Sequence, residues 1–273
     1  MNRRAAIAAA LALAAHARAG GALSPAGAGD TAGGVVTTEL ILTETCLALG
    51  HGPAAIGNRG LYQRLVRDPA PGAALDLGPL NEPNLELLRR LAPRLILAAA
   101  WQQAAAGRLE RIAPVEWLQT LPLEGALTTA RALADQMARI LGRDSGPLLA
   151  RLEDALTPLG AQRALIVRML EDGRHMIVFG PGSLPGDVLS AMGLTNAATG
   201  SMIWGARSTG LDELVDRDGP AVLAIGGAGS AGPFLDALSF NLADRLRPLP
   251  PVFPAGGVAS AIRLATAIRA AMA

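Results

Sequence analysis

Lysine is missing from this 273-residue chain, and all 24 of its basic residues are arginine. No single site would strip lysine from a whole surface, so the bias is one of coding. Cysteine is almost missing as well. Cys46 stands alone, which excludes an internal disulfide and leaves stability to the core. Among Leu42, Leu47 and Leu49 on a helical stretch it reads as a core residue. A net charge of +1 gives nucleic acid no footing. His51 and His175 have no ligating partner three or four residues on, so a protein-held metal is not expected and His175 reads as structural. Ser183 lacks the G-x-S-x-G elbow of a nucleophilic serine, and no catalytic residue is assigned.

What the chain does have begins with its leader. Arg3 and Arg4, the apolar run Ala5 to Ala15, and Ala17-Arg18-Ala19 follow the order of a secretory signal peptide over 1–19, too short for a membrane anchor. The paired arginines leave both the general and the twin-arginine routes open. Taking Arg3, Arg4 and Arg18 from the 24 basic residues leaves 21 against 23 acidic, about −2 for an exported, periplasmic chain. Residues 20–34, rich in Gly, Ala, Ser and Pro, read as a flexible lead-in.

Two α/β halves, 35–122 and 160–273, flank a helical linker at 123–159. Ala126, Ala130, Leu133, Met137 and Ile140 carry helical spacing, which predicts one long helix from Glu124 to Leu141, stopped by Gly142. Asp144 or Ser145 then caps a second helix to about Leu156. In the first half, strands are expected at Val35–Thr37, Ala54–Ile56 and Leu95–Ala99, with helices at Glu39–Leu49, Leu85–Leu91 and Ala105–Ile112 and a loop at Asn58–Tyr62. In the second, strands are expected at Ala164–Met169, Met176–Phe179 and Val222–Ile225, with another near Val252. Helices are expected at Pro185–Met192, Leu211–Val215, Pro233–Leu238 and Gly257–Met272. Such alternation predicts parallel sheets in two Rossmann-like lobes joined by a rigid helix. Ligands of open α/β sheets bind beyond the carboxyl ends of strands, which singles out the loops carrying Tyr62, Leu80, Asn81, Trp101 and Gln102.

Gly227-Ala228-Gly229-Ser230-Ala231-Gly232 spells G-x-G-x-x-G. It lies too near the end of the chain to open a nucleotide-binding half, so it reads as a Gly-rich turn, and no cofactor is expected.

Asp76-Leu77-Gly78, then Glu82-Pro83-Asn84-Leu85-Glu86-Leu87-Leu88 and Leu91-x-Pro93, resembles the periplasmic ferric hydroxamate-siderophore-binding proteins of ABC importers. A second block, Arg174 to Gly180 with Pro181, Ser183 and Leu184, is similar to the start of that family's second lobe. Trp204-Gly205 falls where the family places a ligand-facing Trp. The resemblance implies a class III, helical-backbone binding protein. It would work as a monomer that captures an iron(III) siderophore, with the iron held by the chelate, and hands it to an inner-membrane ABC permease.

It also implies ligand contacts from Tyr62, Leu80, Asn81, Trp101, Gln102, Trp204 and Phe253. Leu80 stands where the family has an arginine, Gln102 where it has a tyrosine, and Phe253 replaces a Trp. Arg207 or Arg59 is therefore expected to supply the missing positive charge to the hydroxamate oxygens. Glu86 and Asp212 match the carboxylates that meet permease arginines. Another chelate (a corrinoid, haem or a catecholate) is the alternative, and an exported α/β enzyme the remote one.

Overall fold

The computed structural model describes residues 33–122, 125–200, 202–214, 219–227 and 240–273. The expected leader, nearly all of the lead-in, residues 123–124, Val215, the run from Ala228 to Gly232 and the helix expected over 233–238 lie outside the described residues.

β1 (Val35–Thr37) lies between β2 (Ala55–Ile56) and β4 (Leu95–Ala99), with Val36 opposite both Ala55 and Ile96. β3 (Leu75–Asp76) and β5 (Val115–Leu118) complete a five-stranded parallel sheet in the order β3-β2-β1-β4-β5. The helices are α1 (Leu40–Ala48), α2 (Arg59–Leu65), α3 (Leu85–Leu91) and α4 (Ala106–Leu109), with a 3₁₀ turn at Ala100–Ala105. Asn84 caps α3 as expected, its Oδ1 accepting the Leu87 amide at 2.9 Å.

Two expectations in this lobe need correcting. Asn58–Tyr62 is not a loop: Asn58 takes a left-handed conformation, accepts the Leu61 amide and starts α2. Leu61, Tyr62 and Leu65 then share the buried face of that helix. The helix expected over Ala105–Ile112 shrinks to the 3₁₀ turn and one turn of α4. β5 (Val115 to Leu118), buried only at Leu118, is too short to show a strand period in the sequence.

The linker is α5 (Ala126–Leu141), ended by Gly142 at φ 62°, followed by α6 (Gly146–Ala155). Leu127, Ala130, Leu133, Ala134, Met137, Ala138 and Leu141 are its buried stripe. The second lobe holds β6 (Arg163–Met169), β7 (His175–Phe179), α7 (Leu184–Ala191), β8 (Thr195–Asn196) and β9 (Ala206–Gly210). A 3₁₀ turn (Leu211–Leu214), β10 (Ala221–Ile225), α8 (Phe240–Arg245), β11 (Leu246–Leu249) and α9 (Val258–Met272) complete it. The last strand thus ends before Val252. Strand order is β11-β10-β6-β7-β9, with β8 beside β6.

β11, β10, β6 and β8 are parallel, as expected, while β7 and β9 run antiparallel to their neighbours. The cause is local: Asp172 Oδ1 accepts the Arg174 and His175 amides and Gly173 sits at φ 66°, so β6 and β7 join in a hairpin, which only antiparallel strands permit. One hydrophobic core runs from Val35, Leu42 and Leu97 through Leu133 and Met137 of the linker to Ile166, Phe179, Val188, Leu264 and Ile268. α9 packs on α1, α5, α6 and α7. A shared core of this extent holds the lobes in one arrangement.

Candidate functional site

The first sheet reverses its strand order between β1 and β4, and the chain beyond their carboxyl ends is where an open α/β sheet accepts a ligand. Here Gln102 fills that point. Its Oε1 accepts the Thr38 hydroxyl at 2.6 Å and the Ala99 amide at 3.0 Å. Its Nε2 donates to the Thr38 carbonyl at 3.2 Å and the Leu80 carbonyl at 2.5 Å. Two donors and two acceptors are therefore all in use, and the side chain is buried. Gln102 stitches the exits of β1 and β4 to the 77–84 loop and presents no free polar group. Leu80 lies half-buried against the neighbouring apolar cluster, Trp101 half-buried against the shared core, and Asn81 is exposed.

Tyr62 and Phe253 do not reach a surface. Tyr62 is fully buried on α2, its hydroxyl donating to the Pro69 carbonyl at 2.7 Å, and burial pushes its phenol well above the ordinary range. Phe253 comes from the second lobe's last loop and enters the same cluster as Tyr62, Leu40, Ile56, Leu61 and Leu65. Both expected contacts are thus packing residues, because α2 turns Tyr62 inward and Phe253 follows it. Arg59 is likewise committed. Its guanidinium donates to the carbonyls of Ala74 and Gly72, the latter at 2.7 Å, and its amide donates to Asp76.

On the second lobe the arrangement is different. Ile203 is 64% exposed and Trp204 44% exposed, adjacent in the chain, while among the described residues the other large apolar side chain so exposed, Leu75 at 41%, stands apart from them in the first lobe. Trp204 sits at φ 61°, a left-handed conformation that bulky residues rarely hold. Gly205 behind it lies against Pro181 and Ser183, and its carbonyl accepts the Gly180 amide at 2.7 Å. Arg207 on β9 is not a free cation: it grips Glu213 through two bonds of 2.8 Å, and Thr209 donates to the same carboxylate at 2.7 Å. The Glu213 bond holds the guanidinium above its ordinary range and that of Arg207 holds the carboxylate below its own. The expected charge donors, Arg59 and Arg207, therefore both serve their own lobes.

Glu86 is exposed on the first turn of α3, 3.9 Å from Arg89, and Asp212 is exposed on the 3₁₀ turn after β9. His175 is exposed with its Nδ1 2.6 Å from Asp172, and Cys46 is buried as a free thiol. Among the described residues no group of three or more His, Cys, Asp or Glu is placed to hold a metal, and no helix is long and apolar enough to cross a membrane. A groove of about 500 Å³ lies between Pro248–Val252 and the Ile262–Ala271 side of α9, and none of the expected site residues lines it. Ile203 was not expected at the site, and its one signal in the sequence is its place beside Trp204.

The sequence profile of the periplasmic binding proteins matches residues 35–239. The chain belongs to the periplasmic binding protein family. This binding protein is 31% identical over 245 residues to the iron(3+)-hydroxamate-binding protein FhuD of Escherichia coli, an alignment covering 84% of the chain and 83% of that relative. Its fold matches that of the Fe3+-Desferal-bound siderophore binding protein FhuD of Vibrio cholerae with a TM-score of 0.74 at 26% identity, over 87% of this chain and 97% of that one. The petrobactin-binding protein YclQ of Bacillus subtilis shares the fold at a TM-score of 0.69 and 18% identity, over 88% and 92% of the two chains. The resemblance carried by Glu82–Leu88 and Arg174–Leu184 is borne out, as is the two-lobed fold it implied.

Proposed function

We propose that this protein is the periplasmic component of an ABC importer, capturing a ferric hydroxamate chelate and delivering it unchanged to its permease. The observation that carries the reading is the Ile203–Trp204 turn: a large apolar pair left in solvent, on a backbone held in a strained conformation, in a chain 31% identical to a hydroxamate-binding relative. Aromatic and branched apolar faces suit the hydrocarbon arms of such a chelate. Trp204 and Ile203 form the apolar wall, and Leu80 and Asn81 contact the ligand from the facing lobe, with Trp101 beneath. The closed Arg207–Glu213 pair adds no net charge beside Trp204, which suits a tris-hydroxamate complex, whose three monoanionic groups neutralise Fe(III). Glu86 and Asp212 face the permease.

Ferrioxamine B, a ferric tris-catecholate and haem are titrated separately into the protein and followed by Trp quenching. Saturable quenching by ferrioxamine B, weakened at least tenfold in Trp204→Ala by calorimetry, is expected. Tighter binding of the catecholate or haem would replace hydroxamate by that chelate. Reversing Glu86 and Asp212 together should abolish uptake and leave ligand affinity intact.

A further inference from the structure

Asp187 is in the first turn of α7, yet it does not cap its own helix. Ser183 does that, its Oγ accepting the Gly186 amide at 3.1 Å. The Asp187 carboxylate divides between two other elements. One oxygen accepts the Gly182 amide at 2.8 Å; the other accepts the Leu127 amide, in the first turn of the linker helix α5, at 3.1 Å.

The linker helix needs that carboxylate. Its cap residue is Gly125, which has no side chain to offer the orphan amides of the first turn. Gly125 stands at φ 131°, and a Cβ there would lie 3.1 Å from the Asp187 oxygen. The missing side chain is thus replaced by a carboxylate from the second lobe, which also meets the positive end of the helix dipole.

The oxygen that accepts the Gly182 amide ties Asp187 to the loop beneath Trp204. Gly182 belongs to the loop on which the Trp204 turn rests, so closely that a Cβ on Gly205 would lie 2.2 Å from the Ser183 nitrogen. The Gly205 carbonyl accepts the Gly180 amide at 2.7 Å in the same stack. A continuous path of short contacts therefore runs from the linker helix through Asp187 and the 180–183 loop to the turn that carries Trp204.

We propose that Asp187 is a positioning residue for ligand capture: it fixes the Trp204 turn relative to the linker helix and hence to the facing lobe. The proposal rests on the reading of Trp204 as a ligand contact. A binding protein whose lobes share a core cannot clamp its ligand by a wide closure, so the two walls must already stand at the right separation. A carboxylate bonded both to the 180–183 loop and to the linker helix, which itself packs on α1 of the first lobe, sets that separation, and it need not touch the ligand.

A double-mutant cycle tests this. Affinity for ferrioxamine B is measured by calorimetry for the wild type, Asp187→Ala, Trp204→Ala and the double variant, with folding checked by far-ultraviolet circular dichroism. Asp187→Ala is expected to weaken binding about tenfold when Trp204 is present and less than about twofold when it is not. Equal losses in both backgrounds, or no loss in either, would overturn the proposal. Should Trp204→Ala alone leave affinity unchanged, the ligand-contact reading falls, and the positioning role falls with it. Asp187→Asn covers the case in which the alanine variant does not fold. Its one amide oxygen can serve Gly182 or Leu127 but not both, so a partial loss that again needs Trp204 is expected, and a loss independent of Trp204 overturns the role.

Discussion

Glu44 of the first lobe and Ser260 of the second meet across the boundary at 2.6 Å, carboxylate to backbone amide. The other Glu44 oxygen accepts the Gly257 amide at 2.8 Å. Gly257 is the cap residue of α9 and brings no side chain, so Glu44 caps that helix from outside its own lobe. Asp187 does the same for α5 in the opposite direction. The first lobe thus supplies a carboxylate to the bare start of α9 in the second, and the second lobe supplies one to the bare start of the linker helix. Arg263 stands 3.7 Å from Glu44 and 3.1 Å from Asp68, adding a partly exposed cation to the lock.

Glu44→Ala should lower the free energy of unfolding by about 3 kcal/mol, because it orphans two buried amides and removes a carboxylate held near Arg263. Glu44→Gln keeps one acceptor and should lose about half as much. Urea unfolding of the two variants checks the order.

Glu39 gives the chain a pH dependence with a definite sign. Burial lifts its carboxyl from the ordinary 4.5 to about 7, against the pull of the Ile41 and Leu42 amides. A native acid with a raised pKa holds a proton that the unfolded chain has released, so stability falls as pH rises between about 4.5 and 7. The loss is about 3 kcal/mol across that window. Unfolding measured from pH 4.5 to 7.5 should show a shallower decline in Glu39→Gln than in the wild type.

Gln102→Glu replaces a donor by a second acceptor at nearly constant shape. The Thr38 and Leu80 carbonyls would then face a carboxylate oxygen, so stability should fall by about 2 kcal/mol or more at neutral pH. Protonation restores one donor, and thermal unfolding at pH 5 should show a smaller deficit.

Trp204→Gly should separate stability from function. Glycine is at ease at φ 61°, so relief of the left-handed backbone should raise stability by about 1 kcal/mol. Loss of the indole should lower ligand affinity at the same time. Chemical unfolding and calorimetry on one preparation test both halves.

Much of the frame was written locally. The linker helix showed in the spacing of Ala126, Ala130, Leu133 and Met137, its end in Gly142, and the start of α3 in Asn84. Tyr62 was misplaced because α2 has only seven residues, too few to display a period. Arg207 looked like a free cation because its partner Glu213 lies beyond the end of β9, where side-chain direction depends on the 3₁₀ turn.

By itself, then, the sequence determined the strands at Val35, Leu95, Ala164 and Val222, the linker helix and the family. Those follow from periodicity, caps and composition, all of which act between near neighbours. Only the tertiary structure decided that Gln102 is saturated, that Tyr62 and Phe253 pack together, and that Glu44 and Asp187 cap helices outside their own lobes. The Glu44 and Gly257 partners are 213 residues apart, and nothing local marks either for the other. Burial demands that every polar group find a partner, but it does not say from which part of the chain that partner comes.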